Sequence, residues 1–461
     1  MIDMENEDRG SMIRNLTTGR VSTTLVMFAF PMILANLLQA VYGMVGMVVV
    51  GQFVGRDGLS AVSIGSGILH MFTLLAMGLC NAGQVIISQY VGAGDTKSVS
   101  RTIGTMFSLV LLTSIGFTVI ALLGSGVFLN LLNTPPEAYE SALVYCRTSF
   151  SALFFMFGYN LVSAILRGMG DSRHPLIFIG LAAITNLLLD LLFIAVLSMG
   201  TFGAALSTVI SQGLSFIISV AFLFRRRKSF NFDFKPQNFK ADRGILRSIL
   251  KLGVPFCLQN AAISFSVLFV NSFINVYGVA ASAVTGIGEK LGTVTYVVTG
   301  SITMAGSSMI GQSLGAGKQE RVSQVIRFAM LINAVFAALL TSLTILIPER
   351  IFGLFNNDPE VLSFGMQYVP CAVLTYIGFA LRSPFFALIN GVGNGKLNLA
   401  VGLLDGVVCR IGLAILLGVS LGIGIRGFWY GSVIAGYMPI LIGGAYYISG
   451  KWKSSTIIIS R

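Results

Sequence analysis

The segment QYVGAGD at residues 89–95 returns in the second half of the chain as QSLGAGK at residues 312–318. Further pairs keep nearly the same separation of about 223 residues: Pro31 with Pro255, Pro136 with Pro359, Tyr145 with Tyr368, and Gly168 and Gly170 with Gly391 and Gly393. So many matches in one order indicate that the chain arose by internal duplication.

The composition is that of a membrane protein. The chain has 461 residues, of which 55% are hydrophobic and 10% are charged, whereas soluble domains carry about 25% charged residues. Apolar runs of about 20 residues, without the alternation of barrel strands, indicate transmembrane helices. We predict spans at residues 24–48, 59–88, 102–124, 141–166, 176–198, 203–224, 253–276, 281–310, 325–347, 364–388, 398–419 and 427–448. The predicted fold class is an all-α integral membrane protein with twelve transmembrane helices in two pseudo-symmetric six-helix lobes. A duplicated protein of this kind is most often a secondary transporter.

Three regions are expected along the chain. Residues 1–224 form the N-terminal six-helix lobe, and residues 253–461 form the C-terminal six-helix lobe with a short cytoplasmic tail. Between them, residues 225–252 form a basic cytoplasmic linker that begins with four consecutive cationic side chains. This linker is a candidate for an amphipathic helix on the membrane surface. With six spans in each half, both lobes have the same orientation and are related by an axis along the membrane normal.

The basic residues predict the topology. Lysine and arginine concentrate at both termini and in the connections that follow spans two, four, six, eight and ten. Both termini are therefore expected in the cytoplasm, in a multi-pass protein of the plasma (inner) membrane. Topology and lipid headgroups then account for the formal net charge of +12, and no nucleic-acid partner is expected.

Asp190 in span five is the first candidate for chemistry inside the membrane. Asn186 lies four residues earlier on the same helix face. Reflecting the chain about the turn at Met199 and Gly200 brings Thr208 of span six to nearly the depth of Asp190. A carboxylate, an amide and a hydroxyl that converge there would suit a proton or a small hard cation. The alternative is an aspartate near a helix end that is hydrogen-bonded for packing alone.

Other polar side chains inside spans have competing interpretations. Asp405 and Arg410 share span eleven, and a structural ion pair is favoured over a substrate site. His70 could relay protons, but a lone histidine among apolar neighbours is more typical of a hydrogen-bonded core residue. The chain has only two histidines and no CxxC pair, so no metal site is expected. Residues of the types used in catalysis occur singly and not in clusters, so we do not expect an enzyme.

The chain resembles the multidrug and toxic compound extrusion (MATE) family over nearly its whole length. The resemblance rests on four features: FPMILANLLQ at residues 30–39, the two QxxGAG turns, LRGMGD at residues 166–171, and the Asn186 and Asp190 pair. It implies a V-shaped pair of six-helix lobes and alternating access. It also implies export of cationic amphipathic compounds driven by inward flow of protons or sodium ions, with Asn186, Asp190 and Thr208 as the coupling site.

Three positions depart from the family pattern. Gly46 occupies the place of an acidic residue in span one, and span seven reads Gln259-Asn260 where one branch has an acid. Gly292 replaces an acid in span eight, with Glu289 one helical turn earlier. A lone carboxylate is costly to keep charged in a low dielectric, whereas sodium needs several oxygen ligands. We therefore expect a proton rather than sodium as the coupling ion, and no other cofactor.

The expected partners are membrane lipid and cationic amphipathic small molecules that bind between the lobes, and the expected state is a monomer. The candidate substrate contacts are Asn36, Gln39, Asn160, Gln259, Asn260 and Glu289. The alternative function is a flippase of lipid-linked sugars or other lipids, which needs a basic cavity for pyrophosphate. Arg147, Arg382 and Arg410 are the residues that keep this alternative open.

Overall fold

The computed structural model describes residues 14–227, 232–454 and 457, and most of this backbone is helical. The spans of the first half are Val21–Phe53 (one), Arg56–Gly92 (two), Thr96–Leu131 (three), Pro136–Phe150 with Leu153–Gly168 (four), Arg173–Asp190 (five) and Gly200–Arg225 (six). Those of the second half are Arg243–Ile274 (seven), Val279–Gly315 (eight), Gln319–Leu346 (nine), Pro359–Val392 (ten), Gly395–Gly402 with its continuations to Ser420 (eleven), and Ile425–Ala435 with Met438–Ile448 (twelve).

Ten of these helical segments are long and apolar enough to cross a membrane, counting only the described residues. The two halves of span four, which meet at an angle of 44°, make an eleventh. Span eight is the remaining helix, and it carries Glu289, Lys290 and many glycines, serines and threonines. It has 37 residues, as does its counterpart in the first half, span two. Together the helices confirm the predicted fold of two six-helix halves.

The described residues group into two compact units that nearly follow the halves. The first unit contains Arg14, Asn15 and Phe30–Gly253, and the second contains Leu16–Ala29 and the chain from Val254 onward. One segment, Leu16–Ala29, therefore groups differently from its order in the chain. The basic linker belongs to the first unit, and the start of span one belongs to the second.

Hydrogen bonds explain why the segment that precedes span one joins the second unit. The guanidinium of Arg321 donates to the carbonyl oxygens of Leu16, Thr18 and Gly19 at 2.7–3.0 Å. The ammonium of Lys318 donates to the carbonyl oxygen of Thr17 at 3.0 Å. These cationic side chains satisfy backbone oxygens that no helix satisfies.

The linker is held by aromatic packing against span three. Phe232 and Phe239 pack with Phe107, with ring centroids 6.4 and 5.6 Å away, and Phe232 is fully buried. The backbone N–H of Asp242 donates to Thr105 Oγ1 at 3.0 Å. Among the described linker residues the only helical turn before Arg243 is the four-residue segment Pro236–Phe239. From Arg243 onward the linker is helical and amphipathic, with Arg243, Arg247 and Lys251 exposed and Ile245 and Ile249 buried, and this stretch is continuous with span seven. A position on the membrane surface stays a prediction.

The duplication appears in the packing of both units. A methyl group added at Gly168 would lie 2.9 Å from the carbonyl oxygen of Gln84, and one added at Gly391 would lie 2.8 Å from that of Ser307. Both pairs join the same two helices of their own half. Close helix contacts through small residues are typical of membrane interiors, where apolar burial gives little driving force. Each half therefore uses the same glycine to bring two helices together.

The connections repeat as well. Gly94 and Gly317 end the two GAG turns with φ of 71° and 72°, a left-handed conformation that glycine adopts without strain. In each unit the helix before this turn is 37 residues long. The repeated QxxGAG motif that indicates duplication thus ends a long helix in each half.

Spans five and eleven share an irregularity. Span five continues beyond Asp190 as a π-helix at Leu191–Val196, and span eleven contains π-helices at Leu403–Ile411 and Leu416–Ser420. A π-helix accommodates extra residues in a helix and is frequent at functional sites. The two spans that carry buried aspartates are therefore also the two with widened turns.

We expect Gly168→Ala and Gly391→Ala each to destabilise the protein by about 1–3 kcal/mol, because the new methyl group overpacks a helix contact. Gly67→Ala and Gly286→Ala are the matched controls, since neither methyl group would have a neighbour within 4 Å. Thermal unfolding of the purified variants in detergent measures the difference. Equal melting temperatures for the tight and the open positions would contradict this packing.

Candidate functional site

Asp190 is buried at the point where span five widens. Asp190 is 4% exposed and Asn186 is 7% exposed. The π-helix begins at the next residue. A carboxylate at this position lies within the apolar length of the span, where ionisable groups are rare and usually functional.

The partner of Asp190 is a hydroxyl of span six. Ser207 Oγ donates to Asp190 Oδ1, and Asn186 Nδ2 donates to Ser207 Oγ at 3.2 Å. Ser207 Oγ also lies 2.9 Å from the carbonyl oxygen of Ala204. The three side chains form one buried chain of hydrogen bonds from amide to hydroxyl to carboxylate.

Thr208 does not join this chain, which corrects the predicted convergence of Asn186, Asp190 and Thr208. Its hydroxyl donates to the carbonyl oxygen of Ala204 at 3.0 Å, within its own helix. The π-helix after Asp190 changes the helical register by about one residue. Reflecting the hairpin with regular α-helical geometry therefore selects Thr208, whereas its neighbour Ser207 makes the contact.

Span one approaches the other oxygen of Asp190. A Cβ added at Gly46 would lie 3.3 Å from Asp190 Oδ2. An acidic side chain at position 46 would therefore press directly against Asp190, as the resemblance implies for the family. With glycine there, Asp190 has no second carboxylate beside it in span one.

The surroundings of the site are apolar. A core cluster of the first unit brings together Val49, Val50, Val62, Tyr145, Ile194, Ala204 and Ala205, with Val45 and Val54 packed against it. Valines of span one and alanines of span six line the same region as Asp190 and Ser207. Among the described residues, no group of three or more His, Cys, Asp and Glu side chains is placed to hold a metal ion.

The candidate substrate contacts lie in both units. In the first, Asn36 and Asn160 are half-buried and Gln39 is exposed, and Asn160 donates to the carbonyl oxygen of Met156 at 2.8 Å. In the second, Gln259 is buried against Gly402 and Asn260 is half-buried.

Glu289, the sixth candidate substrate contact, is exposed and accepts a hydrogen bond from Asn271 Nδ2 of span seven at 2.7 Å. His70 is exposed on span two, and the expectation of a core histidine is wrong. The exposed face of span two, on which His70 lies, could not be told from its buried face by apolar content alone.

Together, the helices and their repeated packing define a duplicated polytopic transporter. The MatE family model matches the chain twice, at residues 31–192 and 255–416, once in each half. The chain belongs to this family, the multidrug and toxic compound extrusion (MATE) transporters. The two matches also confirm the duplication inferred from the repeated motifs.

Relatives of the whole chain carry the same assignment. The probable multidrug resistance protein YpnP of Bacillus subtilis (strain 168) is 30% identical over 97% of this chain and 99% of its own length. Multidrug and toxin extrusion protein 1 of Homo sapiens is 25% identical over 97% of this chain and 78% of its own length. A solved structure of a multidrug resistance MATE family transporter in an outward-facing conformation matches with a TM-score of 0.87 at 22% identity, covering 95% of this chain and 98% of that one.

We expect Ser207→Ala to destabilise the protein by about 1–3 kcal/mol, because it leaves Asp190 and Asn186 buried without their shared partner. Thr208→Ala, which removes only a bond to the backbone of its own helix, is the matched control and is expected to cost less. Unfolding of the two purified variants in detergent is compared at several pH values. The difference should grow as the pH rises, since the charged carboxylate needs the donor most. A larger cost for Thr208→Ala would contradict the geometry.

Proposed function

We propose that this protein is a secondary antiporter that exports cationic amphipathic compounds in exchange for protons by alternating access. The observation that carries the proposal is the buried carboxylate of Asp190, bonded to Ser207 and facing the bare backbone of Gly46. Membership of the MATE family supplies the transport class, and this site supplies the coupling.

A proton suits the site better than sodium. A sodium ion requires several oxygen ligands to replace its water, as hard cations generally do. Here one carboxylate, one hydroxyl and one amide nitrogen donor face one another, and position 46 contributes no side chain. A proton requires one oxygen only, and it removes the cost of a charge in an apolar surrounding.

Protonation would change the hydrogen bonds of the site. The charged carboxylate accepts from Ser207, whereas a neutral acid can donate its own proton to the Ser207 oxygen or to a backbone oxygen. The span-six hydroxyl and the Asn186 amide then lose their present arrangement. A ligand drives a conformational change only through different affinities for two states, and this rearrangement provides such a difference for the proton.

The substrate class rests on the relatives and on the apolar character of the chain. Relatives of the whole chain are named as multidrug resistance or multidrug and toxin extrusion proteins. Poorly directional apolar contacts permit many substrates, with Asn36, Gln39, Asn160, Gln259 and Asn260 as the proposed polar contacts. The protein is proposed to act as a monomer.

The proposed orientation places both termini in the cytoplasm of a cell whose plasma membrane the protein spans. The basic connections motivate it, because lysine and arginine are retained on the cytoplasmic side. Ser454→Cys, in a protein whose five native cysteines are replaced, should react with a membrane-impermeant maleimide only after the cells are lysed. Labelling in intact cells would reverse the topology.

In vesicles that contain the purified protein, we expect a proton gradient to drive uphill transport of a cationic amphipathic dye. Asp190→Asn should abolish this transport while leaving the protein folded, because the amide resembles the neutral acid in size and polarity. Dye movement is followed by fluorescence under an imposed proton gradient and, separately, an imposed sodium gradient. Cells that produce the wild-type protein should also accumulate less dye.

Asp57→Asn is the matched control, since Asp57 is an exposed carboxylate in the same unit. It should transport at the wild-type rate. Transport by Asp190→Asn at that same rate, or transport of the wild type by sodium alone, would overturn proton coupling at Asp190. A wild-type protein that moves no cationic dye under either gradient would overturn the export function itself.

A further inference from the structure

A second charged cluster lies inside the second unit, on spans ten, eleven and twelve. Arg382 is on span ten, Asp405 and Arg410 are on the first π-helix of span eleven, and Ser432 is on span twelve. Arg382 and Asp405 each lie about ten residues, or roughly 15 Å, from the ends at which spans ten and eleven are connected. This is about the midpoint of a bilayer whose apolar core is about 30 Å thick.

The carboxylate is shared unequally between the two guanidinium groups. Arg410 Nη2 donates to Asp405 Oδ1 at 2.9 Å, and Arg410 Nη1 donates to Ser432 Oγ at 3.0 Å. Arg382 Nη1 lies 3.9 Å from Asp405 Oδ2. Charge-assisted hydrogen bonds have lengths of about 2.7–2.9 Å, so only the pair of Asp405 and Arg410 is well formed.

The cluster has more positive charge than negative charge. Two guanidinium groups face one carboxylate, and among the described residues no other acidic side chain lies within 4.0 Å of either arginine. The Asp405 side chain is fully buried, and those of Arg382 and Arg410 are 16% and 10% exposed. Asp405 Oδ2 and Arg410 Nε are buried without a hydrogen-bond partner. Unpaired charge at this depth is costly and usually marks a binding site.

Arg382 is positioned to receive a further group. Its guanidinium lies over the ring of Phe379 with Cζ 4.0 Å from the ring centroid, which holds the guanidinium plane in place. In the described part of the chain it donates no hydrogen bond to a protein acceptor at normal distance. The residue beside Arg382 Nη1 on span twelve is Gly436, where even a Cβ would lie 3.6 Å away. Residue 436 therefore brings no side chain to this nitrogen.

From this geometry we propose that Arg382 and Arg410 form a binding site for the carboxylate of an amphipathic, zwitterionic substrate. A carboxylate would supply the missing negative charge, and it would match the planar pair of donors that a guanidinium presents. The proposal rests on the export function, which it extends from cations to molecules that carry both charges. It also gives a role in substrate binding to the Asp405 and Arg410 pair, for which the sequence analysis favours a structural ion pair.

The test uses a rhodamine dye with a free carboxylate and the methyl ester of the same dye, which differ in one charge. Both are transported in vesicles that contain wild-type protein, with protein-free vesicles as the blank. Arg382→Gln is expected to lower transport of the carboxylate dye by about tenfold, the effect of one charge-assisted hydrogen bond, while the ester is transported as before. Arg382→Lys, which keeps the charge and loses the fork of donors, should retain part of the transport.

Arg426→Gln is the matched control. It removes an arginine of the same unit that is exposed and donates to Gln367 Oε1 at 3.1 Å, and both dyes should move at the wild-type rate. Gly436→Ala covers Arg382 Nη1 without removing a charge, and it should lower transport of the carboxylate dye alone. This variant keeps the test decisive where Arg382→Gln does not fold.

The outcomes separate this proposal from the export function. If the wild type transports the ester but not the carboxylate dye, the carboxylate site is overturned and export stands. Equal loss of both dyes in Arg382→Gln and in Gly436→Ala assigns the arginine to structure and also overturns the site. If the wild type transports neither dye, the export function fails.

Discussion

A polar group inside the hydrocarbon of the membrane costs free energy unless it has a hydrogen-bond partner. This constraint organises the whole chain. It forces the backbone into helices, because only there does every N–H and C=O find a partner within the same segment. It also governs the hydroxyl side chains. Thr73, Thr285 and Thr299 each donate to a carbonyl oxygen four residues earlier, at 2.9–3.0 Å. Other side chains bond across helices, as Arg167 does with Gln84 at 2.8 Å and Asn333 with Ser383 at 2.9 Å, and the two candidate sites are the ones built around a buried carboxylate.

The same constraint limits how the helices pack. With little apolar driving force between helices in lipid, close approach and hydrogen bonds must hold them together. Each unit meets this requirement with the same glycine at the same helix contact, Gly168 against Gln84 and Gly391 against Ser307. The scaffold has been kept through the duplication, whereas the charged side chains have not. Asp190 of span five has no aspartate at the matching place of span eleven, where residues 413 and 414 are leucine and alanine.

Much of this arrangement can be predicted from the sequence, because the repeat spacing and the apolar runs report the fold directly. The helix ends, the glycine turns and the burial of Asn186 and Asp190 follow from those patterns. Ser207 does not, since a π-helix leaves no mark in hydrophobic periodicity and a change of one residue exchanges Thr208 for its neighbour. The grouping of residues 16–29 with the second unit also cannot be predicted from the sequence. Those residues group with the second unit because Arg321 and Lys318 bind backbone oxygens, and backbone acceptors carry no sequence signal.

The two buried clusters differ in what they can do, and the difference follows from side-chain chemistry. Asp190 can exchange its charge for a proton, and under the proposed function its state would depend on the proton gradient. Arginine stays charged in proteins. In the second unit, Arg410 donates to Asp405 at 2.9 Å, and the two arginines give that cluster a fixed positive charge. A group of fixed charge distinguishes substrates but cannot store the energy of an ion gradient. On the proposed function, coupling therefore belongs to the first unit, and the second unit contributes selectivity.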